Sequence, residues 1–185
     1  MIKFEEIDVS KLEEYGNIPF GYTTTKKYEI VKIDSGKGGI KLELVDVPEY
    51  SKDFGNNVNH WKELFDMSNW KFFVAYDDDK MIGGSIVVTK TKNLNMLENR
   101  DDLAVLWDIR VSEDYKGMGI GTKLFNMARD YAKSNGFKEL KIECQNTNSA
   151  AVNFYYKQGS MLGAINMYAY KDYPDEVQLL LYLDL

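Results

Sequence analysis

The feature that most constrains the fold is a glycine-rich loop between a strand pattern and an amphipathic helix pattern. Residues 103–111 form an almost continuous apolar run, as buried strands do. The loop reads Lys116-Gly-Met-Gly-Ile-Gly121, and apolar side chains then recur at helical spacing as far as Ala132. This order places backbone N–H groups at the positively polarised start of a helix, where they can bind a pyrophosphate.

Two well-known phosphate-binding motifs fail on spacing. A Walker A loop that starts at Gly117 would need its second glycine where Thr122 stands. A dinucleotide-binding Gly-x-Gly-x-x-Gly motif fails in both registers, because its third glycine falls on Thr122 or on Leu124. Two interpretations of the loop remain open. It is either a pyrophosphate loop of another type or a glycine-rich connection that binds no ligand.

The other patterns indicate a mixed α/β order. A short helix is predicted within residues 9–15 of a polar N-terminal segment, residues 1–27, and another around His60, and residues 149–157 are predicted to form a further helix. Strand patterns cover residues 28–33, 40–47, 70–76, 81–89, 137–144, 161–170 and 177–183. The first two and the next two are predicted to form hairpins, and no linker divides the 185 residues, so we expect one domain over residues 1–185.

The amino-acid composition limits the classes of partner and ligand that the protein can bind. The chain has 23 Lys plus Arg against 29 Asp plus Glu, a net charge of −6, which argues against nucleic acid and favours a cationic small molecule. One cysteine, Cys144, and one histidine, His60, provide neither a disulfide nor a metal cluster, so no metal is expected. No apolar stretch approaches the roughly 20 residues of a membrane span, and the first residues lack a signal-peptide pattern. We therefore expect a cytoplasmic protein.

Two motifs resemble the GNAT superfamily of N-acetyltransferases. The loop is similar to its acetyl-CoA pyrophosphate loop, which reads Gln or Arg, two residues, Gly, one residue, then Gly or Ala. Here Lys116 takes the first position, while Gly119 and Gly121 keep the spacing. The segment Asn148-Ser-Ala-Ala-Val-Asn-Phe-Tyr-Tyr-Lys-Gln-Gly159 resembles the superfamily's Asn-x-x-Ala-x-x-Phe-Tyr-x-x-x-Gly helix. Without the resemblance, the aromatic residues of this segment would be assigned to a helix core.

The resemblance implies an α/β GNAT fold, with a central, mostly antiparallel sheet of six to seven strands, one splayed parallel pair and flanking helices. It implies acetyl-CoA as co-substrate, bound in a V-shaped opening between residues 103–111 and 137–144, and a cofactor core over residues 70–170. Asn148 would contact the pantetheine, and Tyr155 would protonate the departing CoA thiolate. The implied cofactor-binding residues are Ile109, Arg110, Val111, Lys116, Gly117, Met118, Gly119, Ile120, Gly121, Thr122, Asn148, Ala151 and Tyr155.

Acetyl transfer to an amine also requires a proton acceptor. An amine with a pKa of about 10.4 is almost fully protonated at neutral pH, so a carboxylate must take its proton directly or through water. By resemblance, Asp108 and Glu143 flank the cofactor cleft and are the candidate catalytic acids. The alternative for each is a sheet-surface acid paired with a nearby Lys or Arg, and Asp108, in an apolar strand, is the stronger candidate.

A narrower resemblance concerns the acceptor. Segments Gly39–Pro48, Asp108–Val111, Ile142–Asn148, Gly163–Tyr170 and Leu181–Leu183 look like those of streptothricin acetyltransferases. This implies a primary amine of a cationic antibiotic of streptothricin type as substrate, and antibiotic resistance as role. The alternatives are another GNAT acceptor, namely a protein or peptide amine, a polyamine or an aminoglycoside, and a non-catalytic acyl-CoA-binding module. The closing strands, with Tyr168, Tyr170 and residues 179–183, have the apolar content of a homodimer edge.

Overall fold

The computed structural model describes residues 1–56 and 58–185 and shows a mixed α/β protein. The described residues form strands β1 (Ile2–Ile7), β2 (Gly21–Lys32), β3 (Ile40–Asp53), β4 (Trp70–Asp77), β5 (Lys80–Val88), β6 (Leu103–Val111), β7 (Glu139–Gln145), β8 (Met161–Asn166) and β9 (Gln178–Asp184). The α-helices are α1 (Leu12–Gly16), α2 (Val58–Leu64), α3 (Ile120–Ser134) and α4 (Ser149–Lys157). None of these helices is both long and apolar enough to cross a membrane.

Seven strands form one sheet in the order β1-β4-β5-β6-β7-β9-β8, and β2 and β3 form a separate two-stranded sheet. The pairs β1–β4, β4–β5 and β5–β6 are antiparallel, whereas β6–β7 is parallel. The predicted GNAT-type mixed sheet with one parallel pair is thereby confirmed.

The chain forms two compact units. The first comprises Met1–Phe20, Phe54–Ile142 and Tyr182–Leu185, and the second comprises Gly21–Asp53 and Glu143–Leu181. One domain over residues 1–185 stays a prediction.

In the first unit, α3 packs on the sheet through its apolar stripe. Leu124, Phe125 and Ala128 are fully buried, and the Ser85 hydroxyl donates to the Leu124 carbonyl at 3.1 Å. The helix is followed by Gly136, whose φ of +82° lies in the left-handed region that glycine adopts freely. The predicted amphipathic helix is confirmed.

Strand β6 has two partners, β7 in a parallel pairing and β5 in an antiparallel one. Leu103–Leu106 pair in parallel with Glu139–Ile142. The register with β5 shifts between Ile86 and Val87, which leaves Trp107 as the extra residue of a bulge. Beyond the bulge, β6 continues to Val111 along β5, and the splaying of the parallel pair stays a prediction.

The Trp107 side chain packs in an aromatic cluster of the first unit. Its ring lies 5.4 Å from that of Trp70, 5.9 Å from Phe65 and 6.1 Å from Trp61, measured between centroids. Ring contacts of this kind add roughly 1 kcal/mol each to ordinary burial. The cluster therefore ties α2 to β4 and to the bulge of β6.

In the second unit, the β2–β3 ribbon is fastened at Tyr28. The Tyr28 N–H donates to the Asn146 carbonyl at 2.9 Å, the Asn146 amide donates back to the Tyr28 carbonyl at 2.8 Å, and the Tyr28 hydroxyl donates to Asn153 of α4 at 2.6 Å. A two-stranded ribbon is marginally stable alone. These bonds hold it against the segment that leads into α4.

Three predicted boundaries are corrected. Residues 1–27 contain strand β1 and the start of β2 in addition to the short helix predicted near residue 12. The first hairpin is longer than residues 28–47 and forms its own sheet. Strand β8 ends at Asn166 rather than at residue 170, because a turn follows in which the Tyr168 N–H donates to the Asn166 side chain at 3.0 Å.

Candidate active site

The glycine-rich loop of the first unit has an open backbone. Gly117 and Gly119 have φ values of +78° and +81°, and a Cβ built on either would meet no atom within 4 Å. The first hydrogen bond of α3 runs from the Lys123 N–H to the Gly119 carbonyl at 3.0 Å. The N–H groups of Ile120, Gly121 and Thr122 precede it and have no partner within the helix. The loop therefore fits a pyrophosphate, which would accept hydrogen bonds from these amides.

The side chains of the loop contribute less. Lys116 is paired with Glu113 at 2.5 Å, and both are exposed. The Met118 side chain is also exposed. Phosphate binding by Lys116 stays a prediction, and the backbone carries the stronger argument for a site.

We expect Gly119→Val to raise the KM for acetyl-CoA at least about tenfold, because the side chain would fill the open side of the loop. Initial rates at varied acetyl-CoA concentrations measure the effect. Gly136→Val is the matched control, since Gly136 has a φ of +82° and equally open surroundings at the other end of α3. Both variants strain a left-handed position, so an equal KM in both would remove the phosphate site from the loop.

Asp108 is part of a closed, buried network of the first unit. Its Oδ1 accepts hydrogen bonds from the Tyr15 hydroxyl at 2.6 Å and from Arg110 Nε at 2.9 Å, and its Oδ2 pairs with Arg110 Nη2. Arg110 also donates to the Ile18 carbonyl at 3.2 Å and lies over the Phe20 ring at 4.2 Å. Burial, and then the Asp108 charge, raise the pKa of Tyr15, so the phenol stays a donor.

These bonds bear on the predicted role of Asp108 as a base. Both carboxylate oxygens are occupied, and the side chain is almost fully buried. To accept a substrate proton, the carboxylate would first have to release Tyr15 or Arg110, which costs the energy of a charge-assisted bond. The geometry favours a structural role, and the catalytic role stays a prediction.

The other β6 residues that were predicted to bind the cofactor lie in the ladder with β5. Ile109, Arg110 and Val111 pair with Ser85, Gly84 and Gly83 of β5. Because the Arg110 guanidinium is held by Asp108, a cofactor contact at this strand would use main-chain groups. The binding of the cofactor by Ile109, Arg110 and Val111 stays a prediction.

In the second unit, Glu143 has a different environment from Asp108. Its Oε1 accepts a hydrogen bond from the Tyr170 hydroxyl at 2.8 Å, and among the described residues it has neither an ion pair nor a second hydrogen bond. It is half-buried. The described residues therefore provide no counter-ion for this carboxylate.

Helix α4 positions the remaining predicted residues. The Asn148 side chain accepts from the Ala151 N–H at 3.1 Å and so caps the helix. Tyr155 is buried, with 7% of its surface exposed, and its ring lies 5.4 Å from that of Phe154. The structure brings Asn148 and Ala151 together as a cap. Their contact with the cofactor and the acid role of Tyr155 stay predictions.

Cys144 is buried on β7, whereas Glu143 and Gln145 on either side of it are half-buried. It is 4% exposed, and burial, followed by the Glu143 charge, raises the pKa of its thiol to about 12. A thiol in this state does not ionise near neutral pH. Cys144 is therefore a buried, uncharged side chain of β7.

Sequence reasoning missed two tyrosines. Tyr15, in the segment read as polar, is bonded to a residue 93 positions away, and Tyr170, assigned to a dimer edge, is bonded to one 27 positions away. No local pattern marks either pairing.

The mixed sheet with one parallel pair and the glycine loop at α3 are those of an acetyltransferase, and the chain belongs to the GNAT family. Residues 42–159 match the family model described as Acetyltransferase (GNAT) family. The protein is an acetyl-CoA-dependent N-acetyltransferase, which sets aside a purely acyl-CoA-binding module.

Its relatives include two streptothricin acetyltransferases. The chain is 31% identical over 133 residues to streptothricin acetyltransferase A of Bacillus subtilis (strain 168), which covers 65% of this chain and 76% of the relative. It is 27% identical over 146 residues to the streptothricin acetyltransferase of Escherichia coli, 79% of this chain and 75% of the relative. A Bacillus anthracis str. Ames protein, solved in complex with acetyl coenzyme A, shares the fold with a TM-score of 0.78, 24% identity and full coverage of both chains.

Proposed function

We propose that the enzyme transfers the acetyl group of acetyl-CoA to a primary amine of a cationic antibiotic of streptothricin type, and that it confers resistance. The observation that carries this proposal is the similarity to the two streptothricin acetyltransferases over three quarters of their length. The net charge of −6 adds a weak, long-range attraction for a multiply charged acceptor.

Glu143 supports the proposal by its missing counter-ion. Asp108 is neutralised by Arg110, and the buried Glu176 is neutralised by Lys52 at 2.5 Å. Glu143 alone of these three acids has no cation within the described residues. We assign to it the binding of the acceptor ammonium and the removal of its proton, directly or through water.

The reaction then needs no covalent enzyme intermediate. The neutral amine attacks the thioester carbonyl carbon, a C–N bond forms, and the C–S bond breaks. Glu143 releases the proton of the ammonium to water, Tyr155 donates a proton to the CoA sulfur, and the proton that the nitrogen loses as the amide forms passes through water back to Tyr155. By resemblance to the family, a main-chain N–H group of residues 108–111 would stabilise the oxyanion, an effect worth roughly 3 kcal/mol.

We expect streptothricin to give the highest kcat/KM in a panel of amines assayed by release of free CoA thiol. The panel contains a polyamine, a lysine peptide, a peptide with a free N-terminus and an aminoglycoside. The kcat/KM for a polycation should fall with added salt, because salt screens the protein charge. A simple aromatic amine, which is uncharged at neutral pH, is the control, and its rate should not respond to salt. Turnover of a peptide or polyamine without turnover of streptothricin would refute the substrate assignment and leave the family assignment intact.

A further inference from the structure

A chain of hydrogen bonds in the second unit joins Gln145, Tyr170 and Glu143. The Tyr170 hydroxyl donates to Glu143 Oε1 at 2.8 Å and accepts from Gln145 Nε2 at 3.4 Å. Glu143 and Gln145 are two positions apart on β7, so their side chains leave the strand on the same side. Tyr170, in the turn that follows β8, reaches both.

We propose that Tyr170 is a positioning residue for the acetyl transfer, which fixes the Glu143 carboxylate in the orientation that receives the acceptor's proton. This inference rests on the role proposed above for Glu143.

The direction of the hydroxyl proton follows from the partners. The Gln145 amide nitrogen can only donate, so it occupies a lone pair of the phenol oxygen. The phenol proton is then directed to the carboxylate, which can only accept. Among the described residues, Oε2 of Glu143 has no hydrogen bond, so it is the oxygen that remains for the ammonium.

The phenol of Tyr170 and the thiol of Cys144, which lie near Glu143, both stay protonated near neutral pH. Burial, followed by the Glu143 charge, raises the pKa of Tyr170, so the phenol remains a donor. The same two causes raise the pKa of the Cys144 thiol to about 12, so it stays neutral. Neither Cys144 nor Tyr170 therefore adds a second negative charge beside Glu143, and the acceptor can supply the cation that the described residues lack there.

A double-mutant cycle tests the inference. Tyr170→Phe keeps the ring and removes the hydroxyl, and we expect kcat/KM for the acceptor to fall about tenfold with the KM for acetyl-CoA unchanged. Glu143→Gln should lower the same quantity about a hundredfold or more. The double variant should equal Glu143→Gln, because a residue that acts through the carboxylate has nothing left to position. Any amine that the wild-type enzyme acetylates can serve as acceptor.

Tyr168→Phe is the matched control, since Tyr168 lies in the same segment with 85% of its surface exposed, and its rates should equal those of the wild type. Thermal unfolding of each variant separates loss of fold from loss of function. A tenfold loss on Tyr170→Phe that persists in the Glu143→Gln background would overturn the inference while leaving Glu143 in place. A Glu143→Gln enzyme with wild-type rates would instead remove the proposed role of Glu143, and the inference with it.

Discussion

Tyr155→Phe is expected to lower kcat about a hundredfold while the affinity for acetyl-CoA changes little. A thiolate leaves in the acetyl transfer, and a hydroxyl that donates a proton to the sulfur lowers the barrier only as charge develops there. The bound thioester does not need this proton. The hydroxyl therefore stabilises the transition state more than the ground state, and its loss appears in kcat.

Position in the fold makes this substitution informative. Tyr155 is almost fully buried on α4, so its ring is part of the core and phenylalanine preserves that packing. Tyr156, the next residue on the helix, is 39% exposed, and Tyr156→Phe is the control. Steady-state rates and calorimetric titration with acetyl-CoA give kcat and affinity separately. An unchanged kcat in Tyr155→Phe, with unfolding at the wild-type temperature, would assign Tyr155 to packing.

The fold was predictable where one strand or helix carries its own pattern. Helix α3 could be read from its apolar stripe, because the same spacing that marks the sequence buries Leu124 and Ala128 on the sheet. Strand β1 was missed because the adjacent acids Glu5 and Glu6 break its alternation. Its structure is decided by pairing with β4, whose partner residues lie 65 to 75 positions later in the chain, as Ile7 lies opposite Phe72 and Ile2 opposite Asp77.

The candidate site divides in the same way. The glycine loop could be predicted because its chemistry belongs to consecutive backbone groups, and the left-handed φ values of Gly117 and Gly119 are those that glycine permits. The environments of the two acids could not be predicted. Asp108 and Glu143 look alike in sequence, yet one meets a tyrosine of α1 and an arginine of its own strand, and the other meets a single phenol. The fold, rather than the residue type, separates their chemistry.

Asp108→Asn is the substitution with the largest expected effect on stability. The asparagine would leave the Arg110 guanidinium buried without its anion, since the arginine side chain is only 3% exposed. Breaking a buried ion pair from one side costs roughly 3 kcal/mol or more, which for a chain of this size lowers the unfolding temperature by about 10 °C. Thermal unfolding followed by calorimetry or circular dichroism measures the loss.

Two further substitutions should cost less stability than Asp108→Asn. Asp130→Asn removes the carboxylate of the exposed pair with Arg129, and its cost should stay below about 0.5 kcal/mol. Tyr15→Phe keeps the buried ion pair but removes the 2.6 Å hydrogen bond to Asp108, and its cost should lie between the other two, at about 1.5 kcal/mol. This order, with Asp108→Asn largest, is the signature of a buried network that holds the segment around Tyr15 and Ile18 against β6.

The same variant separates the structural role of Asp108 from the predicted catalytic one. If the network is structural, the folded fraction of Asp108→Asn, assayed well below its unfolding temperature, should keep a kcat/KM within about tenfold of the wild type, with a similar pH profile. If Asp108 also removes the amine proton, the stability loss should be accompanied by a loss of activity in the folded fraction. The kcat/KM for the acceptor should then fall most near neutral pH and recover at higher pH, where more of the amine is already neutral. Proton removal by Glu143 requires the first result, because two independent bases would leave neither substitution with a large effect.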